Sequence, residues 1–371
     1  MKIVFISYSS QLTYKDPLLW IEKISNFSAL MNALVPYCSI AYIKQTGYEG
    51  IIQKNNVDYI FLRSINKKPR FPWRLNKALK KLRPDIVIVS GIRSPLQVML
   101  TKLQLGKKVR LIGKHHAESP PTGFRKILQR FADRCFDAYL FTSKGNAAEW
   151  IKSGIIKNEN KLFEFSGSST AFKKMNKKDA LQKTGMNGST NFLWVGGLNE
   201  NKDPLTVLEG FEKYLASQAG SKFYMIFHTA DMIDTVQKKI DESKSLKNAV
   251  VLQGYVPYNE MPAWYSAANF FISGSHSEGG SFALAEAMAC GCIPIITKIP
   301  AALKMTGDGK YAISFRAGNA DDLADKLMGL SSISKTFADE VEKYFSDHLS
   351  ADSMARQLYE YCISLLQKKS K

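Results

Sequence analysis

Acidic side chains are scarce in one half of this chain. The 371 residues include 51 Lys or Arg against 33 Asp or Glu, a net charge of +18. Residues 1–170 hold 28 basic and 11 acidic side chains, whereas residues 171–371 hold 23 and 22. Residues 61–130 alone carry a net +16, with Asp85 and Glu118 as their only carboxylates. This distribution excludes a uniformly basic protein and points to one half that meets an anionic partner. Cysteine is also sparse: Cys38, Cys135, Cys290, Cys292 and Cys362 are odd in number and form no C-x-x-C pair, which excludes a disulfide framework. Cys290 and Cys292 are followed by an apolar run without further ligands, so no metal is expected. No stretch approaches the ~18 uninterrupted apolar residues of a membrane span. The opening MKIVFISYSS has one Lys, a short apolar core and no small-residue cleavage site, and so reads as a strand, not a secretion signal. A cytoplasmic protein is expected, with any contact at the inner face of the plasma membrane peripheral.

What is present is an ordinary globular composition, 45% hydrophobic and 23% charged, in a chain long enough for two domains. Short apolar runs such as DIVIVS (85–90), DAYLFT (137–142), NFLWV (191–195) and NFFIS (269–273) alternate with helical periodicity, the pattern of parallel β/α units. The reading is an α/β protein with two doubly wound, Rossmann-like domains, over residues 1–170 and 191–349. A Ser-, Lys- and Gly-rich linker is expected over 171–190, and a terminal helix over 350–371 that packs back toward the first domain. In doubly wound sheets ligands sit outside the carboxyl ends of the strands, so two such domains are expected to face a cleft.

Two segments carry the chemistry. SGSHSEGGSFALAEAMACGCIPIIT (273–297) follows a strand, turns through Glu278, Gly279 and Gly280, and enters a helix at Ser281, a natural N-cap. The two glycines admit a ligand close to the backbone, and the amides and positive dipole end of the helix suit a phosphate. Glu286 is the one charged side chain on an otherwise small and apolar helix and needs a partner if buried: ribose hydroxyls, solvent or a distant Lys would each serve. The second segment, VGGLNENKDP (195–204), follows NFLWV, with Asp203 as N-cap and Pro204 at the first helical position. Lys202 is thereby set at a strand's carboxyl edge, where its ammonium can meet a phosphate.

These two segments resemble the donor domain of glycosyltransferase family 4, retaining enzymes of the GT-B fold that use nucleotide sugars. Glu278 and Glu286 stand as E-x7-E before EAMACG, VGGLNENKDP is similar to the family's V-G-R-L-x-x-x-K segment, and GYVP (254–257) lies between. The resemblance implies that Lys202, Glu278 and His116 are catalytic, with His116 preferred over His115 after the strand RLIGK. It implies a donor site of Gly196, Gly197, Gly279, Gly280, Ser281 and Glu286, with Glu286 on the ribose and Tyr255 and Val256 near the base. It implies a nucleotide diphosphate sugar as substrate, no cofactor or metal, and a glycan or lipid-linked acceptor in bacterial cell-surface synthesis.

The chain departs from the family at Gly197, where Arg is usual, and its first loop, SYSSQLTYKDP (7–17), lacks the usual glycines. A catalytically impaired donor-binding protein or partner subunit is therefore a competing reading. A nucleic-acid binder fits the charge but finds no recognition-module signature, so no nucleic-acid partner is expected. The densest basic cluster, Lys67, Lys68, Arg70, Arg74, Lys77, Lys80 and Lys81, is read as a surface for anionic lipid or a phosphorylated acceptor, with a solvated basic face as its plain alternative.

Overall fold

The computed structural model describes residues 1–64, 71–334 and 336–368. Lys67, Lys68 and Arg70 of the basic cluster therefore lie outside the described residues. The chain divides into two units, residues 1–169 with 351–371 and residues 170–350.

Unit 1 runs β1 (Lys2–Gln11), α1 (Pro17–Lys23), α2 (Ser25–Leu34), β2 (Ser39–Thr46), β3 (Gly50–Lys54), β4 (Val57–Arg63) and α3 (Trp73–Leu82). It continues with β5 (Ile86–Ser90), α4 (Pro95–Leu105), β6 (Arg110–Lys114), α5 (Gly123–Asp133), β7 (Ala138–Phe141), α6 (Lys144–Lys152) and β8 (Leu162–Glu164). The sheet order is β3-β4-β2-β1-β5-β6-β7-β8, parallel except for the β3–β4 hairpin. Ile86, Val87, Ile88 and Val89 of β5 are all fully buried, as a strand covered on both faces requires.

Unit 2 runs α7 (Lys177–Thr184), β9 (Asn191–Val195), α8 (Pro204–Leu215), β10 (Lys222–Ile226), α9 (Ile233–Asp241), α10 (Lys244–Ala249), β11 (Val250–Gly254) and α11 (Met261–Ala267). Then come β12 (Phe270–Ser273), α12 (Phe282–Ala289), β13 (Ile293–Thr297), α13 (Pro300–Met305), β14 (Ile313–Phe315), α14 (Ala320–Met328) and α15 (Phe337–His348). Its six strands are parallel in the order β11-β10-β9-β12-β13-β14. The order reverses between β9 and β12, which opens a crevice at their carboxyl ends. The last helix, α16 (Ala351–Gln367), belongs to unit 1. It buries Met354, Ala355, Leu358, Cys362 and Leu365 in the same core as Ile3, Trp20 and Leu34, and Tyr361 stacks on Phe163 at 3.9 Å.

Three local differences from the sequence reading have physical causes. The segment 171–190 is not a linker: α7 lies in it, capped by Asn176, whose side chain accepts from the Lys178 and Asp179 amides. Lys177 Nζ donates to Ala267 O at 2.7 Å and Ala268 O at 2.9 Å, and only Ala180 and Leu181 of the helix meet the core, too few apolar residues to make a period. Strand β3 was unexpected; it is an edge strand whose Ile51 is 70% exposed. Its turn uses Asn55 and Asn56, both with positive φ, the backbone of a tight hairpin. The stretch 17–34, periodic enough for one helix, breaks at Ile24, which leaves helical geometry at φ −97°, ψ 23°. The break lets Trp20 and Ile21 reach the same core as Leu30, Met31 and Leu34.

Unit 1 also buries two lysines. Lys44 Nζ donates to Ser9 O at 3.1 Å, and Lys114 Nζ lies 4.8 Å from the centre of the Phe27 ring. Burial lowers each ammonium to about 8 from the usual lysine value of 10.5. The folded pKa is below the unfolded one, so the unfavourable contribution is complete below about 8 and is relieved as pH rises toward 10.5. The difference in melting temperature between the parent chain and Lys114→Met should accordingly move in the parent's favour between pH 8 and 10; a pH-independent difference would refute this origin.

Candidate active site

The crevice of unit 2 contains a cavity of about 470 Å³ whose wall is drawn from the carboxyl ends of four strands. Val195, Gly196, Gly197 and Lys202 follow β9; Ile226, Phe227 and His228 end β10; Tyr255 and Val256 follow β11; Glu278 through Glu286 follow β12. All donor-side residues singled out in the sequence line it except Gly279, which lies between lining neighbours.

At its centre Lys202 Nζ pairs with Glu278 Oε1, the side chains being 26% and 13% exposed. Each partner is held by its own loop. Asn199 caps the turn before Lys202, accepting from the Lys202 amide at 3.1 Å. Glu278 Oε1 also accepts from Ser275 Oγ at 2.9 Å, and Ser275 is fixed through its carbonyl by Thr297 Oγ1 of β13 at 2.5 Å. The two loops are then tied together: the His276 amide donates to Asn201 O at 2.8 Å, Asn201 Nδ2 to Ser277 O at 3.1 Å, and His276 Nε2 lies 2.9 Å from Asp203 Oδ2. Gly274 makes this approach possible. A Cβ there would come within 3.0 Å of the carbonyl oxygens of Lys202 and Asp203 and 2.7 Å of Val207.

Glu286 sits in the second turn of α12, 6% exposed, and its Oε2 accepts from Tyr265 OH of α11 at 3.0 Å. Burial, and then the neighbouring carboxylate, raises the Tyr265 phenol well above its ordinary value, so it remains a donor at every physiological pH. Tyr265 is the buried partner for Glu286 that sequence reasoning did not name. Ser281 caps α12, accepting from Leu284 N at 3.3 Å, but its own amide points at Met305 Sδ, 3.4 Å away. Cys290 and Cys292 are buried behind the cavity, and burial pushes the Cys290 thiol up to about 12. Among the described residues no three His, Cys, Asp or Glu converge on a metal position.

Gly197, where an arginine was looked for, is closely packed. A Cβ there would collide with Thr229 Oγ1 and stand 3.1 Å from Asn199 Nδ2. The second basic group in the wall is His228, which sequence reasoning missed because nothing around it marks a site.

In unit 1, β6 ends at Lys114 and the two histidines diverge. His115 is 6% exposed and stacked on Phe141 at 4.4 Å. Its Nε2 donates to Glu118 O at 2.9 Å while Nδ1 accepts from the Ala117 amide at 3.3 Å, and burial lowers its pKa. These bonds hold a neutral, structural ring. His116 is exposed, its amide tied to Glu118 Oε2 at 2.7 Å.

With this geometry in hand, comparison with known proteins is informative. Residues 176–347, nearly all of unit 2, match the family described as glycosyl transferases group 1. Unit 2 therefore carries the domain of this family. The chain as a whole has the GT-B fold of two Rossmann-like domains with a long C-terminal helix. Similar solved structures include a glycosyltransferase from Rickettsia africae, with 15% identity, 99% of each chain covered and a TM-score of 0.75. Anabaena HepE in complex with UDP shares 14% identity over 98% of this chain and 100% of that one, with a TM-score of 0.73. An Escherichia coli trehalose-6-phosphate structure bound with UDP-2-fluoro glucose shares 11% identity over 99% of each chain, with a TM-score of 0.71. At such identities the likeness is one of fold. No curated protein sequence matches the chain.

Two substitutions probe how this site is built. Tyr265→Phe removes a hydrogen bond to a buried carboxylate and should lower unfolding stability by about 1–3 kcal/mol in urea titration. Gly274→Ala forces β12 away from the Lys202 loop and should cost about 1–3 kcal/mol as an overpacked contact; unchanged midpoints would show that neither contact is made in solution.

Proposed function

We propose that the cavity binds a UDP- or GDP-sugar and that the chain transfers the sugar, with retention, to a hydroxyl of a glycan or lipid-linked acceptor in bacterial surface polysaccharide or glycolipid synthesis. The observation that carries the reading is the convergence of Lys202, Glu278 and Glu286 on one cavity at the point where the strand order reverses. Solved neighbours of the same fold hold UDP, UDP with glucose, and UDP-2-fluoro glucose, which supports UDP as the first nucleotide to test.

On this reading Glu286, preoriented by Tyr265, accepts from the ribose hydroxyls, and Tyr255 and Val256 approach the base. The diphosphate lies over the glycine backbone of 196–197 and 279–280 and the first turn of α12. Since the Ser281 amide is turned toward Met305, the Gly280, Phe282 and Ala283 amides are the better phosphate donors. Lys202 neutralises the charge that grows on the diphosphate as its bond to the anomeric carbon breaks, and His228 on the same wall is the candidate for the second diphosphate contact that Gly197 lacks. Glu278 holds sugar hydroxyls while the acceptor oxygen bonds to the same face of the anomeric carbon and its proton passes to the departing phosphate oxygen. His116 of unit 1 is kept as a catalytic candidate on the resemblance alone. No metal takes part. Arg74, Lys77, Lys80 and Lys81 on α3 form a surface for an anionic membrane or phosphorylated acceptor at the inner face of the plasma membrane, the role the sequence also suggests for Lys67, Lys68 and Arg70, which lie outside the described residues.

Gly197 keeps a second reading in view, a donor-binding protein that has lost transfer. A thermal-shift screen of UDP-, GDP- and ADP-sugars identifies the nucleotide, since a bound donor stabilises the fold by mass action. Donor binding in titration calorimetry with no nucleotide release under any acceptor would favour the second reading. With an active donor and acceptor pair, Lys202→Ala and Glu278→Ala should each lower kcat/KM by about 10²–10³-fold, the scale of losing one preorganised electrostatic group. Unchanged rates would refute the assignment.

A further inference from the structure

Helix α5 of unit 1, sequence GFRKILQRFAD, is packed the opposite way round from a normal surface helix. The side chains it turns into the protein are Gln129, Ala132 and Asp133, all buried. The two polar ones are engaged: Gln129 Nε2 donates to Ile92 O at 2.8 Å, and Asp133 Oδ1 accepts from Tyr139 OH at 2.9 Å and Lys161 Nζ at 3.3 Å. Three of its large apolar residues face outward. Phe124, Ile127 and Phe131, spaced three and four apart and so on one stripe, are 71%, 49% and 49% exposed. Rotating the helix to hide this stripe would strand the Gln129 and Asp133 bonds in the core, so the exposure is built in.

The stripe does not stand alone. Helix α4 packs between α3 and α5 and presents Leu103 at 82% exposure, while Trp73 at the start of α3 is 62% exposed and stacks with Phe71. Around these apolar groups the charge is of one sign: Arg125, Arg130 and Arg134 are exposed on and just after α5, Lys107 and Lys108 follow α4, and Lys80 and Lys81 end α3. Arg134 lies over the Phe131 ring at 5.5 Å, its guanidinium beside the apolar stripe.

We infer that the α3–α4–α5 face of unit 1 seats the protein on an anionic lipid bilayer, with Phe124, Ile127 and Phe131 of α5 entering the interface and the surrounding Arg and Lys meeting lipid phosphates. An apolar stripe bordered by basic residues is the arrangement by which a helix lies in a membrane interface, and the charge complementarity selects negatively charged lipid. The inference places the contact on α5, beyond the α3 cluster. It extends the proposed membrane-side role but does not depend on the transfer chemistry, because neither Phe124 nor Phe131 lines the donor cavity.

The test is co-sedimentation of the whole chain with vesicles of phosphatidylcholine alone and with one-third phosphatidylglycerol, at low and high salt. The parent should bind the mixed vesicles, bind pure phosphatidylcholine far more weakly, and lose affinity with salt. Phe124→Ser with Phe131→Ser should lower the partition coefficient at least tenfold, Phe124→Leu should keep most of it, and the donor-induced thermal shift should be unchanged in both. The inference is overturned if the parent ignores mixed vesicles, if the double serine variant binds them undiminished, or if the parent is a dimer that the double variant dissociates. A lost donor shift with vesicle binding intact would instead count against the donor-site reading.

Discussion

The ion pair between Lys202 and Glu278 is the contact on which the geometry of the second unit turns. Its two residues come from loops 76 positions apart in sequence, after the two strands between which the sheet order reverses. Partly buried ion pairs add little net stability, since desolvation offsets most of the Coulombic gain. What this one does is fix position: the Asn201, His276 and Asp203 bonds and the bare backbone of Gly274 all serve to bring the two loops within reach. A lysine and a carboxylate held adjacent in this crevice require little reorganisation when a ligand's charges replace one another there.

The fold was legible because parallel strands buried on both faces write continuous apolar runs, and the donor segments were legible because their spacing is fixed within a single strand, turn and helix. Contacts that join distant segments left no such trace. Tyr265 lies 21 residues from Glu286 on a helix that reads as ordinary core, and His228 ends a strand without any flanking signal. Helix α7 escaped because it is short and meets the core only through Ala180 and Leu181, beside a lysine on carbonyl oxygens, and β3 because an edge strand need not alternate. The Asn55–Asn56 pair was the signal that could have found it. Helix α5 shows the limit most clearly: an apolar stripe normally points inward, and only the Gln129 and Asp133 bonds show that this one does not.

The charge imbalance takes on a definite meaning against this structure. Unit 2 is nearly neutral although its proposed ligand is a diphosphate, and unit 1 carries all of the excess. A transferase gains nothing from cations that hold donor, transition state and nucleotide product equally, since uniform binding lowers KM without raising kcat and slows product release. On the proposed reading, Lys202 and the N-terminus of α12 concentrate positive potential where charge grows on the leaving diphosphate. Thr229 packed against Gly197 is consistent with a wall shaped for that smaller set of cations, because a larger side chain at 197 would have to displace it. The lysines and arginines of unit 1 serve a different physical purpose: spread over three adjacent helices beside exposed aromatic rings, they suit a broad anionic surface and not a single phosphate.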